Sequence, residues 1–510
     1  MRFRAIKDKI AACPHVIVAL ACAIIVMVST FVPEAVGPAN NGDFIRVMHP
    51  NKIRYIDGNS RTMWRGYGHT PEFEMDLGHS GGVLGRAVYF LQTDFTTFNF
   101  PSSQILTIKI SKFLNLGYNM ITGKPLGTYN LFWLAVIHTA IFAYAIFLIL
   151  GYIFRKFGFK ALVFSGLVAI FILSDQGYTF YFNSFYGEAL QYVTTLLVIG
   201  LLLRLEEKRN AKLLIWYYIA VYLMATSKFA WIPVGILFAA APLGFVFIKN
   251  AGIPKKRVFI LGGATIAALL IFFVFLTPSW IERDTNFNSV FNGVLRNSRT
   301  PERDLEQLGF DPKLAVLQGY EWYLDDYPVD VFSEEFNEDF FDVINKPKIL
   351  MFYMRHPSRF LGILRESASH ARYIRAPYLT SVQNPDRPAQ QAYRFSLWES
   401  LRIKLTLFTN LWFILFILAF TAALSIVALT RTVRKHSDGE GIVLPILMLA
   451  ITISAAGSFV IPYVSNGVAD QAKQLYGFIG LFDILFFTLL GLVAMAIARL
   501  INCCYKRKKK

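Results

Sequence analysis

Apolar residues in this chain gather in long unbroken runs rather than alternating singly with polar ones. The first run, Cys13 to Pro33, has about the 20 residues that a bilayer-crossing helix needs. Nine more follow it. The pattern predicts spans at 14–33, 129–153, 161–174, 189–204, 213–226, 230–248, 258–278, 405–430, 441–463 and 475–500. The third and fifth are short, which suits a tilted or re-entrant segment. This is the pattern of an all-α polytopic membrane protein.

Two long polar segments interrupt the runs and carry their own periodicity. In the first, Gly82 to Leu91 and Gln104 to Leu116 have the helical spacing of amphipathic segments lying in a membrane interface. The second mixes acidic patches (Asp325-Asp326, Glu334-Glu335, Glu338-Asp339) with helical periodicity over Ile349 to Ser369. The chain thus divides into 1–33, a cytosolic stretch and first span; 34–128, a first long outer segment; 129–278, spans two to seven; 279–404, a second long outer segment; 405–500, spans eight to ten; and 501–510, a basic tail. No internal repeat of the kind that builds inverted-repeat transporters is visible.

Charge orients the bundle. The formal net charge is +17, which in a soluble chain points to nucleic acid. Here 55% of residues are hydrophobic, and the basic residues cluster at the ends of apolar runs. Arg2 to Lys9, Arg155 to Lys160, Arg204 to Lys212, Lys249 to Arg257, Arg431 to Lys435 and Lys506 to Lys510 all fall on one face if both termini are cytosolic. That is the positive-inside arrangement. It argues against a nucleic-acid partner, places the protein in a cell membrane and puts both long segments outside.

Cysteine adds little. None of Cys13, Cys22, Cys503 and Cys504 lies in the long segments, so these have no disulfide framework. His49, His69 and His79, with Asp76 nearby, match no zinc spacing, and there is no Walker loop or dinucleotide fingerprint. No metal and no other cofactor is expected.

The polar residues that remain at the outer ends of the spans carry the candidate chemistry. Asp43, in Asn40-Asn41-Gly42-Asp43-Phe44, follows the first span, with Arg46 just beyond. Asp175 closes the third span, and Glu188 opens the fourth. Lys228 and Lys473 are the rare cations of the short outer turns, with Asp470 beside Lys473, and Arg372 and Arg375 end a helical stretch of the second segment. Carboxylates at membrane ends are commonly solvated flanks or helix caps, and lysines there commonly snorkel. Gathered in one place, though, these residue types supply a base for a hydroxyl and cations for a phosphate leaving group. That combination suits glycosyl transfer from a lipid phosphate.

Several stretches also resemble the WsfD-like glycan-biosynthesis hexose transferases. They are Asn40 to Phe44; Asn183-Ser184-Phe185-Tyr186-Gly187-Glu188; Asp284 to Leu295; Thr300 to Gly309; and Ala469 to Tyr476. The resemblance implies a GT-C type helical bundle whose first outer segment bears an acidic catalytic residue, a position that Asp43 matches. It also implies a polyprenyl-phosphate sugar donor, a cell-surface glycan acceptor, membrane lipids as surroundings and inversion at the sugar. The expected roles are catalytic for Asp43 and Glu188, and substrate-binding for Arg46, Lys228, Arg375, Asp470 and Lys473. A bacterial envelope suits such an enzyme. The rival classes are a transporter or flippase for a lipid-linked glycan, which predicts charges near the bilayer midplane, and a glycan polymerase or ligase.

Overall fold

The structure is a computed structural model and describes residues 13–56, 70–78, 82–96, 100–245, 256–324, 326–381, 390–435 and 441–508. The Arg2 to Lys9 stretch, His69, His79, Asp325, most of the Lys249 turn and the side chains of Cys503 and Cys504 lie outside what is described.

The chain is an all-α polytopic membrane protein, and the described part of each of the ten apolar runs is mostly helical. Among the described residues, seven helices are long and apolar enough to cross a membrane: Pro14–Phe31, Phe132–Phe157, Gly187–Glu207, Arg257–Val274, Leu411–Arg434, Val443–Asn466 and Tyr476–Ile501. The third run differs from a simple span. Phe159–Leu173 and Gln176–Asn183 form a pair bent by 53°. Asp175 causes the break by capping a new helix, its Oδ1 accepting from the Gly177 amide at 2.8 Å. The fifth and sixth runs, Ala211–Ala225 and Phe229–Phe245, are shorter apolar helices. Of the ten expected spans, two of them expected to be short, seven are long enough among the described residues, or eight with the bent pair counted as one.

Helix ends follow local chemistry. Pro14 occupies the first turn of its helix, where a missing N–H costs nothing. At the other end Val32, forced towards extended backbone by Pro33, stops the run. The Gly187–Glu207 helix is the hub of the bundle, 89% buried against 22% for Arg257–Val274.

The first polar segment contains a small antiparallel sheet in the order β1 (Ile53–Arg54), β2 (Glu72–Met75), β3 (Thr128–Asn130), with Ile53 opposite Met75 and Phe73 opposite Tyr129. The interfacial helix expected from Gln104 runs on to Thr122. Its polar residues turn inward: Lys112 donates to the Asn51 carbonyl at 2.7 Å, and Asn115 and Asn119 bind the Thr128 carbonyl. Leu106, Ile110, Phe113, Met120 and Ile121 point outward, which suits a helix resting on lipid.

The second segment has its own aromatic core around Phe287, Phe291, Trp322, Phe336 and Phe340. The periodicity over Ile349 to Ser369 resolves into two helices, Lys346–Arg355 and Pro357–His370. Pro357 divides them by excluding helical backbone at His356.

Candidate active site

The Asn40 to Phe44 stretch is a turn organised by Asn40, whose Oδ1 accepts from the amides of Gly42 at 2.8 Å and Phe44 at 3.1 Å. Gly42 sits at φ +103°, where a side chain would be strained. Because Asn40 supplies these bonds, the Asp43 carboxylate is not spent as a helix cap and turns outward from the turn. Arg46 meets its Oδ1 at 3.0 Å. Lys473, 430 residues further along the chain, meets its Oδ2 at 2.8 Å.

Lys473 is shared. Its Nζ also lies 2.7 Å from Asp470 Oδ2. Asp470 in turn accepts from the Tyr378 hydroxyl at 2.6 Å and from Asn41 Nδ2 at 3.3 Å. Tyr186 braces the turn: its hydroxyl accepts from the Asn41 amide at 3.0 Å and lies 2.8 Å from the Ala39 carbonyl. One turn into the same stretch, Glu188 pairs with Lys228 at 2.7 Å. Gly187 permits that approach, since a Cβ there would stand 2.9 Å from the Ser227 carbonyl. Lys228 also acts electrostatically on Asp43, and Glu188 on Lys473. Six of the seven expected site residues thus belong to one cluster at one end of the bundle.

Electrostatics follow from this crowding. Burial alone raises the pKa of Asp43, but Arg46 and then Lys473 outweigh it and hold the carboxyl well below the usual carboxylate range. For Lys473, burial favours the neutral amine, yet Asp43 and Asp470 keep it charged and raise its pKa. Asp470 is lowered in spite of burial, chiefly by Lys473. The cluster stays open to ligands: Asp43 is 20% exposed and Asp470 35%, while Lys473 at 2% forms the floor. A fixed anion between cations, open on one side, can accept a hydrogen bond from a hydroxyl, and the cations can hold a phosphate.

Arg375 takes no part in these contacts. Its Nε and Nη2 bind Glu399 at 2.7 and 2.8 Å with both side chains buried, and its guanidinium lies against Phe180 and Tyr393. The expected substrate-binding cation is therefore engaged in a closed ion pair. Asp175 is likewise structural, its Oδ2 accepting from the Trp398 amide at 2.7 Å.

Tyr186, Tyr378 and Asn41 went unread in the sequence, as did the nearby carboxyl of Asp284. Burial pushes Asp284 up to about 7, against the pull of Arg46. Three of these residues had a signal, since Asn41 and Tyr186 lie within stretches quoted above and Asp284 opens another. No curated protein and no solved structure matches the chain at a significant level. The family described as the YfdI N-terminal transmembrane domain matches residues 2–510. With that match running over nearly its whole length, the chain belongs to the YfdI N-terminal transmembrane domain family.

Proposed function

We propose that the protein is a membrane hexosyltransferase of GT-C type. It takes a sugar from a polyprenyl-phosphate donor and transfers it, with inversion, to a cell-surface glycan on the outer face. The resemblance to WsfD-like hexose transferases supports the reaction class. The observation that carries the reading is the Asp43 carboxylate held between Arg46 and Lys473, with Lys228 close by.

In this reading Lys473 and Lys228 receive the donor phosphate, and Asp43 accepts the proton of the acceptor hydroxyl. The hydroxyl oxygen bonds to the anomeric carbon as the bond from that carbon to the phosphate oxygen breaks. The electron pair leaves with the lipid phosphate, where the cations stabilise it. A carboxylate clamped by two cations is a weak base at rest. An incoming phosphate shares Lys473, so donor binding itself strengthens the base. Glu188 holds Lys228 in place, and Asp470 with Tyr378 holds Lys473.

The test is transfer in membranes from radiolabelled polyprenyl-phosphate hexoses. Label moving from the lipid fraction into glycan only when this chain is expressed is the expected result. Label exported across the membrane while still lipid-linked would favour the flippase instead.

A further inference from the structure

The ion cluster has two sides. On one, Asp43 Oδ2 meets Lys473, and Lys473 and Lys228 stand at the ends of apolar helices, the height at which a lipid phosphate sits. On the other, Asp43 Oδ1 meets Arg46, and Arg46 faces the second polar segment. Its guanidinium lies 4.9 Å from the centroid of the Trp280 ring. Tyr323 and Asp284 lie close enough to act electrostatically on it.

Asn288 fixes this second side. Its Nδ2 donates to Asp284 Oδ1 at 2.7 Å and to Asn466 Oδ1 at 3.0 Å. Its Oδ1 accepts from the Trp322 amide at 2.8 Å. One side chain therefore locates both the Asp284 carboxyl and the backbone that leads into Tyr323. Tyr323 sits at φ +76°, a conformation unfavourable for a residue with a Cβ that persists where the surroundings impose it. The preceding ring, Trp322, is buried in the aromatic core, whereas Tyr323 stays 51% exposed. The turn holds an aromatic face in the open, next to a guanidinium and a carboxyl.

We infer that Tyr323, Asp284 and Arg46 form a pyranose subsite beside Asp43 that takes the terminal hexose ring of the acceptor glycan. This rests on the transferase reading above for the word acceptor, but not for the sugar. An exposed aromatic face packs against the C–H face of a sugar ring, and a guanidinium and a carboxyl bind its hydroxyls. Burial lifts Asp284 to about 7, with Asp470, Asp43 and Glu321 adding to the push and Arg46 opposing it. Near neutrality it can therefore donate as well as accept. The lysine side suits the phosphate, so the Arg46 side is left for the acceptor hydroxyl that approaches Asp43.

The test uses the full chain in nanodiscs and saturation-transfer NMR with methyl D-glucopyranoside, methyl D-galactopyranoside and methyl D-mannopyranoside as probes. At least one probe should receive saturation at its ring C–H protons. Tyr323→Gly, which suits the left-handed backbone and so preserves the turn, should lower that signal at least fivefold, while Tyr323→Phe retains it. Absence of signal for all three probes, or an equal signal in Tyr323→Gly, overturns the subsite. Adding a polyprenyl-phosphate hexose should leave the probe bound; displacement overturns the acceptor assignment and gives the ring to the donor. A wild-type chain that binds a probe through Tyr323 yet never glycosylates it would leave the subsite standing and end the transferase reading.

Discussion

Two groups of ion pairs in this molecule look alike in composition and differ in what they can do. Around Asp43, this carboxylate, Asp470 and Arg46 are partly exposed and each cation makes single contacts to its partners. Around Asp483, everything is closed. Arg402 binds Asp483 with both side chains buried, while Tyr178 and Trp398 donate to the same carboxylate; Arg375 and Glu399 form a bidentate pair nearby in the chain. The closed network joins the bent third run, the second polar segment and the last helix, and its charged side chains are buried. A charge has use for chemistry when a ligand can reach it, and structural use when it is buried among its partners.

The comparison can be broken by mutation. The largest effect on stability belongs to the closed network. Arg402→Met strands the Asp483 carboxylate and should cost about 3–5 kcal/mol, read as a fall in thermal unfolding temperature in detergent. Adding Asp483→Leu should recover most of it. Lys473→Met in the open cluster should cost less, about 1–3 kcal/mol, because Asp43 keeps Arg46 and Asp470 keeps Tyr378 and Asn41. It should nonetheless abolish transfer. A variant that unfolds as readily as Arg402→Met would erase the distinction.

Lys228→Met should act mainly on the donor, raising its KM about tenfold, or 1.4 kcal/mol, while Lys228→Arg keeps most of the affinity. An unchanged donor KM would remove Lys228 from the phosphate site.

The smallest effect is a pH dependence. The folded pKa of Asp284 is raised to about 7, so the folded state binds this proton more tightly than the unfolded chain. Its contribution to stability is present at pH below the ordinary carboxylate range and is lost as pH rises through about 7. Thermal unfolding at pH 5 and pH 8 should therefore differ more in the wild type than in Asp284→Asn. The charged and titratable groups that interact with it are Arg46, Asp43, Asp470, Glu321, Tyr323, Tyr327 and Lys346.

Much of the bundle was legible because a bilayer imposes a simple rule, one long apolar run per helix, and most runs follow it. What broke the rule was single residues: Asp175 starting a new turn inside the third run, and Pro357 splitting the Ile349 to Ser369 periodicity. Residue type also placed Asp43, Lys473, Glu188 and Lys228 at the same end. It could not distinguish Lys473 from Arg375, since whether a cation already has a full partner depends on residues distant in sequence. Glu399 is 24 positions from Arg375, and Asp43 is 430 from Lys473. Tyr323 carried no signal, because its positive φ is imposed by packing around Asn288 rather than by a glycine.

The central claim is that the Asp43 carboxylate takes the acceptor proton. The direct measurement is the rate of hexose transfer from a radiolabelled polyprenyl-phosphate donor by Asp43→Asn, at equal amounts of inserted protein, against the wild type. Loss of a general base predicts a fall of roughly 10²–10⁴-fold with the donor still bound. Transfer at the wild-type rate would contradict the account.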